Sequence, residues 1–167
     1  SLRREHTALA RRATQPYPGM FVPQVPSPSI FGAPVVLGQP AAAQFQVLYF
    51  FSPTCAFCTA STLRVNALAK ALPAHVELIG VGNGDDEAIA SYAAAQQFKF
   101  PIVAMHDPRT FALFRANNVP LVLVIDRNGR VHRATLGAFD EDEELAAVLA
   151  TARGSSTTTN QPPGATR

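Results

Sequence analysis

The sequence holds no tryptophan, only two methionines and only two cysteines among 167 residues, and just 16% of it is charged. Each shortage narrows the field. A zinc site needs four ligands, and two cysteines with no second CxxC do not supply them. The low charge content excludes charge-driven disorder, and 47% hydrophobic residues supply the material for a core. A chain of this length is one domain and buries roughly two-thirds of its unfolded surface. No apolar window approaches the length of about 18 residues that a bilayer-crossing helix needs. The formal net charge is +2, and the basic excess sits in the first dozen residues, where Arg3, Arg4, Arg11 and Arg12 face only Glu5. The remainder is near neutral, which argues against a nucleic-acid surface. A signal peptide or membrane anchor ahead of Ser1 is compatible with this arrangement.

Proline and glycine are spread unevenly. Seven of the fourteen prolines fall in residues 16–40, a density that forbids a long helix and favours extended backbone. Short strands fit Met20–Val22 and Val35–Leu37. Residues 1–15 read as a basic linker or a frayed helix. Gln46–Ser52 (QVLYFFS) is a buried strand by its unbroken apolar run, and residues 56–72 follow a helical pattern. In that helix Leu63, Ala67 and Ala71 form one apolar row, with Val65, Leu68 and Leu72 beside it. Pro73 stops it. Val76–Val81 is a second buried strand closed by Gly82, Asn83 and Gly84. Asp85 or Asp86 caps a helix over 87–97. A short strand at Ile102–Met105, a helix at Arg109–Arg115, a hairpin of Leu121–Asp126 with Val131–Leu136, and a last helix to about Ala152 follow. Residues 154–167 hold no core-forming side chain and read as a disordered tail. The order β–α–β–α–β–α–β–β–α predicts an α/β fold, with helices on a sheet that begins parallel and ends antiparallel.

The chemistry concentrates in Cys55-Ala56-Phe57-Cys58, between a buried strand and a helix. A helix N-terminus offers unpaired N–H groups and the positive end of the dipole, and both favour thiolate over thiol at Cys55. A thiolate attacks disulfides. Cys58, one turn further in, can reach back and resolve a mixed disulfide with Cys55. A structural bridge is the weaker reading, because an i,i+3 link closes almost no loop. A metal site is weaker still, because His75, His106 and His132 are scattered singly. Val119-Pro120 leads straight into the buried strand at Leu121. X–Pro bonds are cis in only about 5% of cases. The pattern leaves open both a trans proline at a strand start and a cis bond that would free the Val119 backbone for an extended peptide.

The runs VLYFFSPTCAFC and NNVPLVLVIDRNGRV, with the amphipathic helix between them, resemble the thioredoxin fold. More narrowly they resemble the membrane-anchored periplasmic thioredoxins of the TlpA/ResA type, through the N-terminal extension, the inserted strand and helix over about 76–100, and FPIVAMHDPRTFALFRANNVP. SPTC is also similar to the methylamine-dehydrogenase accessory proteins. The resemblance covers roughly residues 19–152. It implies a thioredoxin-like domain over 16–153, with a Pro-rich extension over 16–43 and a juxtamembrane segment over 1–15. It makes Cys55 the attacking cysteine, Cys58 the resolving one, Pro120 a cis-proline and Val119 the residue whose backbone meets the substrate, with Thr54 and Phe57 flanking. It implies no cofactor and no metal, a periplasmic or otherwise extracytoplasmic location, cysteine-containing protein substrates, a membrane or soluble redox partner and no nucleic acid.

Four departures stand out. Thr54 replaces a common Trp, Ala56-Phe57 a common Gly-Pro, Tyr49 a buried acid beneath the cysteines, and Ser61 a Glu frequent in TlpA/ResA members. The last two leave Cys58 without an obvious carboxylate to take its proton. Tyr49 reads as a core aromatic with its hydroxyl paired. Both directions of electron flow stay open. The leading expectation is a thiol–disulfide oxidoreductase of the cell envelope. The alternatives are a non-catalytic binding or copper-carrying module using His106 or His132, and a peroxiredoxin, whose motif would need Thr at the position of Cys55. Phe21, Phe31 and Phe57 are candidates for an exposed apolar docking rim.

Overall fold

A computed structural model of the protein describes residues 1–40 and 43–154, so all of the expected tail beyond Gly154 lies outside the described residues. The chain opens with helix α1 (Leu2–Thr14), a regular helix where a linker or frayed helix was expected. Leu2 and Leu9 stay 77% and 63% exposed, so α1 stands off the core. Its base is held by Arg115, whose guanidinium lies 4.9 Å from the Tyr17 ring centre and donates to the Gln15 carbonyl at 3.3 Å.

The Pro-rich segment forms a small antiparallel pair, β1 (Val25–Ser27) with β2 (Val35–Leu37). The second strand falls where the sequence placed it. The first does not: Met20–Val22 forms an isolated bridge, with Val22 donating to Gly129 at 2.8 Å and Val131 donating to Met20 at 2.9 Å. The tertiary contact with the 127–130 turn takes the hydrogen bonds that a local hairpin would have used.

The main sheet has the order β5-β4-β3-β6-β7. Here β3 is Phe45–Phe51, β4 Glu77–Asn83, β5 Ile102–Met105, β6 Leu121–Asp126 and β7 Val131–Leu136. The three strands β3, β4 and β5 run parallel, and β6 and β7 add antiparallel. All seven residues of β3 are buried, as the central place of that strand requires. Strand β4 runs on through Gly82 and Asn83, which the sequence reading had placed in a closing turn. A Cβ at Gly82 would sit 2.6 Å from Ile89 Cδ1 and 2.9 Å from Phe51 Cζ, so this glycine makes room for a ring rather than a turn.

Period-two alternation divides β3 between two cores. Phe45, Val47, Tyr49 and Phe51 face the side covered by α2 (Ala56–Ala71), α3 (Asp86–Ala95) and α5 (Asp142–Ala152). Leu48 and Phe50 face the side covered by Phe111 of α4 (Pro108–Leu113), by Phe114 and by Met20, Val22 and Leu37 of the N-terminal segment. Each fully buried side chain of this size contributes about 1.5–3 kcal/mol relative to exposure. One buried polar residue ties the extension down. The Gln46 side chain accepts from Gly38 N at 2.8 Å and donates to the Val36 and Gln39 carbonyls and to Glu77 Oε2.

Helix α2 buries Cys58, Ser61, Val65 and Leu68, a clean i, i+3, i+7, i+10 stripe. The row led by Leu63 is therefore corrected: Leu63 is 71% exposed, because a single sheet face accepts a single stripe. Leu72 is extended ahead of Pro73, and the helix ends there. Asp85, not Asp86, caps α3, accepting from Ala88 N at 2.7 Å. Because β3 and β6 are antiparallel, with Phe50 opposite Leu121, the end of β3 and the start of β6 meet at one edge. Cys55 and Pro120 follow and precede them there.

Candidate active site

Cys55 takes the N-cap position of α2 with extended backbone, and its sulfur accepts the Cys58 N–H at 3.1 Å. Sulfur thus occupies the place where a Ser or Asp oxygen ordinarily satisfies an orphan donor of the first turn. The Cys55 thiol faces the Val119 carbonyl oxygen at 3.8 Å, and the Val119–Pro120 peptide is cis. Cys55 is half-buried and Cys58 has no exposed surface; both are free thiols. Burial, followed by the hydrogen bond with Cys55, pushes the Cys58 thiol up to about 12, while the Ser52 backbone pulls the other way.

Of the flanking residues, Thr54 is exposed with its hydroxyl 3.1 Å from that of Ser52, and Phe57 is 67% exposed beside the cysteines. Val119 is half-buried and Pro120 buried. The apolar rim of three phenylalanines does not assemble. Phe21 pairs with Arg130 at the far end of β6, about 20 Å along the strand from Pro120, and Phe31 follows Ile30, which bonds to Ile102 on β5, two strands from β3. Only Phe57 lies at the motif.

The two positions that lack a carboxylate have other duties. The Tyr49 hydroxyl donates to the Cys58 carbonyl at 3.3 Å, and burial raises its ionisation well above the ordinary phenol range. It is a paired core aromatic. Ser61 is fully buried; its Oγ donates to the Phe57 carbonyl at 2.7 Å and accepts from Phe139 N at 2.8 Å. Two residues before Phe139, Gly137 donates to the Pro120 carbonyl at 2.9 Å. The start of α2, the Val119–Pro120 step and the 137–139 segment are thereby laced together. The sequence named Ser61 only as a missing carboxylate; its partner is 78 positions away, and no local pattern announces such a bond.

His132 stands apart from this edge. His132 Nε2 meets Asp126 Oδ2 at 2.7 Å, beside the Phe45 ring, at the opposite end of β6. Among the described residues no cluster of three or more His, Cys, Asp or Glu is arranged to hold a metal ion. No helix among them is long and apolar enough to cross a membrane.

No curated protein sequence matches this chain. Solved structures do. A secreted Mycobacterium tuberculosis disulfide oxidoreductase, homologous to E. coli DsbE, superposes with a TM-score of 0.65 at 23% identity, over 77% of this chain and 96% of that one. StoA from Bacillus subtilis gives 0.62 at 16% identity, over 74% and 96%. Peroxidoxin BcpB from M. tuberculosis gives 0.69 at 21% identity, over 86% and 100%. These likenesses establish a thioredoxin-like fold. The model of the AhpC/TSA family matches residues 19–134, most of the folded part, and the chain belongs to that family.

Proposed function

We propose that this protein is a thiol–disulfide oxidoreductase that exchanges electrons with cysteines of partner proteins outside the cytoplasm. The observation that carries the reading is Cys55. Its half-buried sulfur accepts the first-turn N–H of Cys58 and lies against the Val119 carbonyl, beside the one cis-proline among the described residues. An extended substrate segment pairs with the Val119 backbone, with Thr54 and Phe57 at its sides, and sets its own sulfur in line with Cys55. Attack forms a mixed disulfide, and Cys58 then displaces the substrate thiolate. Burial holds the Cys58 thiol up, so the second step quickens as pH rises. The secreted DsbE homologue supports the extracytoplasmic assignment.

The resemblance to BcpB makes peroxide reduction the competing reading. Against it, the cysteine one turn into the helix, Cys58, is the buried one with the raised thiol. The test is Cys58→Ser. It should accumulate mixed disulfides with partner proteins through Cys55, and Cys55→Ser should accumulate none. Rapid oxidation of Cys58 by peroxide, with no protein adduct in either variant, would replace this reading with the peroxidase.

A further inference from the structure

Resolution by Cys58 makes one chemical demand that no carboxylate meets. Cys58 is sealed from solvent, so its proton has to leave through the protein. The ionisable groups that act on one another here are Cys55 and Cys58 from α2, Tyr49 from β3 and Tyr92 from α3, two thiols and two phenols. No carboxylate and no cation is among those acting on Cys58. Two nearby hydroxyls are committed: Tyr49 to the Cys58 carbonyl, Ser61 to Phe57 and Phe139.

A second set of hydroxyls is less committed. Thr62 lies four residues after Cys58, on the same side of α2. Its Oγ1 is shut off from solvent and has no hydrogen-bond partner. Burial raises the Tyr92 phenol, and Thr62 is near enough to its hydroxyl to offset part of that rise, yet outside hydrogen-bond geometry. The Tyr92 ring is fixed by stacking on Phe51, with centres 5.4 Å apart, and by an edge contact with Phe98. Its hydroxyl lies 3.0 Å from Thr59 Oγ1, and Thr59 is exposed. A buried hydroxyl without a partner is costly and calls for an explanation. One lying a single turn from a buried thiol that has to ionise has an evident one.

We propose that Thr62, Tyr92 and Thr59 form a hydroxyl relay that carries the Cys58 proton to solvent while the mixed disulfide resolves. The inference rests on the thiol–disulfide reading and supplies the proton path of that same site. In the step, the bond between Cys55 and the substrate sulfur breaks and the Cys55–Cys58 bond forms. The substrate cysteine leaves reduced, as a thiolate, and the Cys58 proton passes outward. Each hydroxyl accepts one proton and releases its own, so none stays ionised and no further oxidant or reductant is needed.

The reduced protein mixed with 5,5′-dithiobis(2-nitrobenzoate) tests this, because each of the two steps releases one coloured thiolate. Tyr92→Phe keeps the ring stack, and Thr62→Val keeps the shape. Both should leave the first release unchanged and slow the second roughly tenfold at pH 7, less than the loss of a dedicated base would cause. The reduction potential should not move, because a relay changes a rate and not an equilibrium. An unchanged second release in both variants overturns the relay, and so does a slowed one accompanied by a shifted potential. If the unaltered protein shows neither release, it is the thiol–disulfide reading that fails.

Discussion

The two ends of helix α2 are built on different principles. At its start, Cys55 and Ser61 are tied by hydrogen bonds to segments far away in sequence, Cys58 and Phe57 are bonded to those two in turn, and part of that surface stays open. From Val65 onward apolar burial dominates, through Val65, Leu68 and Leu72 against the β3 face, with hydrogen bonds only at its margins, where Asn66 donates to the Gln96 carbonyl and the Ala71 carbonyl accepts from Arg153. Hydrogen bonds fix direction and distance, as a reacting sulfur requires, whereas burial is large and non-directional. The lower turns hold the helix in place, and the first turn aims it.

Substitutions that strike one end at a time test this division. The largest effect on folding belongs to Leu68→Ala, a fully buried truncation expected to cost about 2–5 kcal/mol while leaving thiol exchange per folded molecule unchanged. Urea titration read beside the exchange rate checks both halves; a slowed exchange in the folded variant would erase the distinction. Ser61→Ala sits at the boundary and should affect both properties. Leaving the buried Phe139 N–H unpaired costs about 1–3 kcal/mol, and loosening the 137–139 segment raises the KM for a protein disulfide more than for a small one. The smallest effect is that of Leu63→Ala, expected within about 0.5 kcal/mol of the parent because its side chain faces solvent. A larger loss there would reveal a partner on the outer face of α2.

The strand–helix alternation was legible because β3, β4 and β6 carry unbroken apolar runs, and runs of that kind need no tertiary information to be recognised. The cysteine pair was legible for the same reason: its place between a strand and a helix is local. The failures share one cause. The Leu63 row met the helical period as well as the Val65 row did, and only the sheet decides which is buried. Met20–Val22 had the composition of a strand, but its backbone partner lies more than a hundred residues on, at Gly129 and Val131. Ser61 looked like a deficiency until Phe139 arrived from the end of β7. The Thr59–Tyr92 contact joins α2 to α3 through two side chains with nothing distinctive in their surroundings along the chain.

The aromatic arrangement around the cysteines also bears on how the protein can be observed. With no tryptophan, its ultraviolet emission comes from three tyrosines. Two of them, Tyr49 and Tyr92, lie among the rings and thiols of the site, while Tyr17 sits under Arg115 at the base of α1. A disulfide is a contact quencher of excited aromatic rings. Oxidation of Cys55 and Cys58 should therefore dim the two inner tyrosines and leave the third as a built-in reference. The protein carries its own optical readout of redox state, without a label.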